Sequence, residues 1–219
     1  MHSQPRRRSL QTAALLILFA TLGAVPAALA QDAGARGGEP QAERFVQAAA
    51  QRVIAVLADR SLSVAQKKAT FHQAINDLAD VPKVTNFVLG KYARTVTPVQ
   101  RQQFAVAFRA YAEGVYQNRI DDYGGEKLTV TGSVVRKPGD VVVNTVISGG
   151  QLSRPVPVAW RVQGAPGSWK VVDVQFKGVW LAITQQQDFV STIDNAGGDV
   201  GVLIAQLQRD AQRPATRSQ

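Results

Sequence analysis

The chain has 219 residues, 25 Lys and Arg against 16 Asp and Glu, and no cysteine. That length suits one buried core with extensions, and the missing thiol excludes disulfides, thiolate catalysis and cysteine-bound metal. The net charge of +9 draws the chain toward anionic surfaces, but its cations (Lys67, Lys68, Lys83, Lys91, Arg94, Arg101, Arg109, Arg119) are dispersed, so no nucleic-acid partner is expected.

The first thirty residues read as a secretory signal. Arg6, Arg7 and Arg8 are followed by an apolar run from Ala13 to Val25, then Pro26, and Ala28-Leu29-Ala30 has the small-x-small form that precedes cleavage. The run is shorter than the ~20 residues that span a bilayer. The triple arginine also permits twin-arginine export. Export places the protein in the periplasm, cut after Ala30. Residues 31–41 read as a flexible lead, 42–210 as the folded domain and 211–219 as a disordered tail.

Phe45, Ala49, Val53 and Val56 recur at helical spacing over Gln41–Asp59. Ser63 stands three residues before Gln66, a capping-box spacing, and Val64, Phe71, Ile75 and Leu78 stripe a second helix. Asp80 and Pro82 open a short third segment that Gly90 ends in the left-handed conformation. Thr97-Pro98-Val99-Gln100 combines a cap, a first-turn proline and a box partner. Phe104, Phe108, Tyr111 and Val115 then put aromatics on one face of a long helix that stops before Gly124-Gly125.

The period then changes. Leu128–Val135, Val141–Ser148, Val156–Gln163 and Trp169–Phe176 alternate in twos between Pro-Gly-Asp, Gly-Gly and Ala-Pro-Gly turns, too short for parallel crossovers. Helical patterns return at Thr184–Asp194 and Asp199–Arg209. The order defines an α+β domain, a curved antiparallel sheet of about four strands packed against helices.

Catalytic chemistry is sparse. His72 is the one histidine after the leader, which argues against a zinc site or a His-based triad; it reads as a partly exposed helix residue. Asp121-Asp122 and the strand residue Asp173 are the remaining acids of note. Asp173 reads as a structural salt link or turn bond. No phosphate-binding or nucleophile-elbow motif is present, and no cofactor is expected.

Val88-Leu89-Gly90-Lys91-Tyr92, then Thr97-Pro98-Val99-Gln100-Arg101 with Phe104 and Phe108, resembles the centre of the MlaC (toluene-tolerance) family. Trp169-Lys170-Val171-Val172-Asp173-Val174, Gly178-Val179-Trp180-Leu181, Phe189 and Leu203-Ile204 are similar to its end. The resemblance covers nearly all of the domain. It implies an NTF2-like fold and a soluble periplasmic carrier, not an enzyme, that holds phospholipid acyl chains between a curved sheet and helices. It also implies as partners an outer-membrane lipoprotein complex and an inner-membrane ABC transporter with an MCE-domain protein. Motif matches and stripe positions together give the expected lining: Phe87, Tyr92, Phe104, Phe108, Tyr111, Val143, Val158, Trp160, Val174, Val179 and Leu181.

Two departures stand out. The family usually has Gly-Val-Ser-Leu where this chain has Gly178-Val179-Trp180-Leu181, and often Tyr-Arg where it has Gln185-Gln186. A bulky Trp180 is expected to reshape the cavity mouth, and the segment is similar to a hopanoid-associated branch, so a hopanoid is the second cargo. Two alternatives from other classes are an NTF2-like enzyme on a small apolar ligand, using Asp173 or Asp121-Asp122, and a conventional substrate-binding protein. For the second the chain is too short and its elements are in the wrong order.

Overall fold

The computed structural model describes residues 38–117 and 123–212. The expected leader with its cleavage site, the Asp121-Asp122 pair and residues 213–219 lie outside these. Helix α1 (Pro40–Ala58) begins with Pro40 in its first turn, where the missing N–H costs nothing. Helix α2 (Val64–Leu78) carries the expected capping box, with Ser63 and Gln66 each bonding the other's backbone N–H. Helix α3 (Val81–Val88) is capped by Asp80, whose carboxylate accepts from the Lys83 N–H. A 3-10 turn, Gly90–Arg94, follows. The box at Thr97 and Gln100 also forms and opens α4 (Pro98–Gln117).

Five strands follow in a meander: β1 (Glu126–Lys137), β2 (Asp140–Gly149), β3 (Val156–Gln163), β4 (Lys170–Phe176) and β5 (Val179–Trp180). All neighbours are antiparallel, in the order β1-β2-β3-β4-β5. The fifth strand adds to the four expected. Helix α5 (Leu181–Asn195) starts three residues before its expected onset, and α6 (Val200–Gln212) continues past Arg209.

Two apolar clusters hold these elements. In the first, the sheet face carrying Val141, Val143 and Val162, with Trp169, packs on Ala42 and Val46 of α1. Polar pins fix that helix over the edge strand. Ser133 Oγ accepts from the Glu39 N–H at 2.8 Å and donates to Glu43 at 2.6 Å. The Gln47 amide bonds the Leu128 carbonyl and the Val130 N–H, groups beside a register shift in β1. The second cluster joins α3, the 3-10 turn, α4, α5 and α6 through Val88, Leu89, Phe104, Phe189, Ile193, Leu203 and Leu207.

One ion pair is built into the opposite sheet face. Arg161 donates from Nε (2.9 Å) and Nη2 (2.7 Å) to the two oxygens of buried Asp140. The guanidinium holds the Asp140 carboxyl below the ordinary carboxylate range. Removing one partner of such a pair strands the other. Asp140→Ala is therefore expected to cost about 2–4 kcal/mol at neutral pH. The folded-state pKa is depressed, so the pair's contribution is full above the unfolded value of 3.8 and is lost as pH falls through the folded one. Urea titrations across pH should show the gap between wild type and variant closing below that value.

Candidate functional site

The helical half of the expected lining forms an aromatic cluster. Phe104, fully buried, stacks on Phe108 with centroids 5.8 Å apart, and Phe189 of α5 meets Phe104, Phe108 and Tyr111 edge-on at 5.8, 5.7 and 6.5 Å. The motifs around it act as fasteners. Arg101 reaches back from α4 to Asn86 on α3 and to the Ala93 carbonyl in the 3-10 turn. Lys91 (2.7 Å) and the Tyr92 hydroxyl both engage Asp194 at the end of α5, and together they hold that carboxyl below its ordinary range, Lys91 first. Gln186 donates to the Phe87 carbonyl at 2.6 Å.

The sheet half forms one cross-strand row. Register pairs Val143 with Trp160 and Trp160 with Val174, and pairs Val158 with Phe176, so all five share a face. The Trp160 indole is aimed by a 3.0 Å hydrogen bond to Thr145 Oγ1, whose own hydrogen goes to the Val158 carbonyl at 2.8 Å. The same face continues through Leu128, Ile147 and Val156. Near α1 it is closed: Val141, Val143 and Val162 are at most 1% exposed. Farther along, Leu128, Ile147, Val156, Val174 and Phe176 are only half-buried.

The remaining expected residues sit apart. Phe87 and Val179 are exposed, Tyr92 packs against the rim of the helical cluster, and half-buried Leu181 begins α5. Leu128, Ile147, Val156 and Phe176 join the face, although the expected lining omits them. The alternation that selected Val143 and Val158 would have reached them had strand register been known. Trp180 pairs with Gln175, so it falls on the face opposite Val174 and Phe176 and does not project into this row.

Asp173 and His72 have structural partners. Asp173 Oδ1 accepts the N–H groups of Val174 and Ala182, each at 2.8 Å, capping α5 from within a strand, as a turn bond would. Burial raises its pKa despite those bonds. His72 Nδ1 lies 3.5 Å from Glu113 of α4. Among the described residues no cluster of His, Cys, Asp or Glu is arranged to hold a metal, and no helix is long and apolar enough to cross a membrane.

Fold and site together define an α+β module whose open antiparallel sheet presents an apolar face, with aromatic helices fastened beside it. The chain belongs to the MlaC family: the family model, described as MlaC protein, matches residues 47–209. It is 26% identical over 132 residues to the intermembrane phospholipid transport system binding protein MlaC of Haemophilus influenzae, covering 58% of this chain and 60% of that one. It is 23% identical over 139 residues to toluene tolerance protein ttg2D of Pseudomonas putida, covering 61% and 64%. The match thus spans less than two thirds of either relative. A solved phospholipid-binding protein from Ralstonia solanacearum, in complex with a phospholipid, superposes with a TM-score of 0.69 at 26% identity, covering 78% of this chain and 96% of the other.

Proposed function

We propose that this protein is a periplasmic lipid carrier and not an enzyme. The observation that carries the reading is the sheet face of Val143, Trp160, Val174 and Phe176: a largely apolar surface, closed under α1 and half-buried beyond it. The phospholipid held by the Ralstonia relative supports a lipid as its occupant. Each methylene withdrawn from water contributes about 0.8 kcal/mol, so two acyl chains of about 30 methylenes represent on the order of 20 kcal/mol and cannot cross water unshielded. Transfer from bilayer to apolar protein is near neutral, because both are dry. Such a carrier binds firmly yet releases to a partner.

The partners in this reading are an outer-membrane lipoprotein complex and an inner-membrane MCE-domain ABC transporter. The chain carries no nucleotide-binding motif, so direction comes from them. Phospholipid is the cargo the relatives favour, and a hopanoid is the one to distinguish from it. The lining comprises Trp160, Val174, Phe108 and Tyr111, backed from behind by buried Val143, Val158 and Phe104, with Phe87, Tyr92, Val179 and Leu181 toward its mouth. The enzyme alternative loses its best acid, since Asp173 already serves two backbone donors and faces Arg161.

A carboxylate on the half-buried part of the face should expel the cargo, because an unpaired charge beside acyl chains is strongly disfavoured. Val174→Asp is expected to lose at least tenfold in co-purifying lipid per mole of folded protein. Val134→Asp places the same charge on the opposite face, at a position already 39% exposed, and should retain it. Equal lipid in both variants, with matched thermal melts, would remove this face from the site.

A further inference from the structure

A cleft of about 440 Å³ opens between α1, the end of α2 and the β3–β4 turn. Its wall includes Arg44, Arg52, Asp77, Trp169 and Lys170. Lys170 donates to the Asp77 carbonyl, and the Asp77 carboxylate accepts from Gln73 at 2.9 Å. Arg44 and Arg52 are exposed and have no ion-pair partner among the described residues. Three cations thus face one carboxylate that is already engaged. The wall also contains Trp169, 6% exposed, whose indole N–H is buried with no acceptor among the described residues, a costly state for a donor.

We propose that this cleft docks an extended acidic segment of a partner protein. Charge sets the sign of the occupant, and shape sets its class. A bilayer surface is met by protruding cations and exposed interfacial aromatics; here the cations line a concavity and the tryptophan is covered, an arrangement that suits a narrow chain better than a flat surface. Spacing sets the pattern. Arg44 and Arg52 are eight residues apart on one helix, about 12 Å along its axis at ~1.5 Å per residue. An extended chain rises about 3.3 Å per residue and turns alternate side chains to one side. Carboxylates four positions apart, about 13 Å, therefore match the two guanidiniums. Because α1 and the Trp169 turn close the apolar face rather than open it, docking there leaves the half-buried stretch clear. The inference does not depend on what that stretch holds.

The test is an NMR titration of the purified, ¹⁵N-labelled protein with the capped peptide Gly-Glu-Thr-Ser-Thr-Glu-Gly. The expected result is a saturable shift of the Trp169 indole N–H, assigned through Trp169→Phe, and of amides 167–170. It should weaken about threefold in each of Arg44→Gln and Arg52→Gln, as for exposed ion pairs. It should vanish near 1 M salt, where the screening length is about 3 Å. Both arginines are exposed, so unchanged melts are expected, and the salt dependence tests the wild type alone. No saturable shift, an equal response to the glutamine version of the peptide, or equal affinity for free glutamate would overturn the proposal. So would a response confined to phosphatidylglycerol vesicles, which would make the cleft a membrane contact.

Discussion

Phe104→Ala is expected to cost about 3–5 kcal/mol, the range for truncating a fully buried phenylalanine. Phe104 is 0% exposed, lies parallel to Phe108 and meets Phe189 edge-on. Its ring therefore joins α4 to α5 within the cluster that α6 completes. Truncation removes both its transfer from water and the aromatic contacts, each worth about 0.5–1.5 kcal/mol beyond area. Chemical denaturation should show a lower midpoint with little change in slope. Phe104→Ala combined with Phe189→Ala should cost less than the two singles together, because both delete the same contact. A loss under 1 kcal/mol would mean that the aromatic cluster does not hold the helices together.

Gly90→Ala should be nearly as damaging, although it adds a single methyl group. Gly90 has φ +54, and a Cβ there would stand 2.7 Å from Val190 Cγ2. A left-handed backbone costs an L-residue about 1–2 kcal/mol, and overpacking adds about 1–3 kcal/mol. The expected loss is about 2–5 kcal/mol, read from the same denaturation curves. Val190→Ala opens the space the methyl needs, so the double variant should be more stable than the two single losses imply. Strict additivity would place the whole penalty in the backbone and none in the approach of the 3-10 turn to α5.

Residues near one another in sequence were the readable ones. The Ser63–Gln66 and Thr97–Gln100 boxes each close within one turn, and both form. Gly90 announced its left-handed geometry, but its approach to Val190, a hundred residues on, left no local trace. Likewise Asp173 caps a helix that begins at Leu181, so no cap signal precedes α5 and the sequence pattern puts its start three residues late. Strand β5 has two residues and no room to show a period.

The site was legible in part for the same reason. Alternation picked Val143, Val158, Trp160 and Val174, and one register unites them. Shifts in β1 and between β3 and β4 change which residues oppose one another, and only the paired sheet reveals that Leu128 and Phe176 extend the face while Trp180 leaves it. The helical stripe picked Phe104, Phe108 and Tyr111, yet Phe189, which touches all three, lies on another helix.

Native mass spectrometry of the protein isolated from a periplasmic fraction, with the bound material extracted and identified, tests carriage most directly. One phospholipid per chain is the predicted result, and a hopanoid in its place would keep the carrier and change the cargo. A protein that arrives empty and takes up no lipid from vesicles would contradict carriage and leave the apolar face as the wall of a filled core.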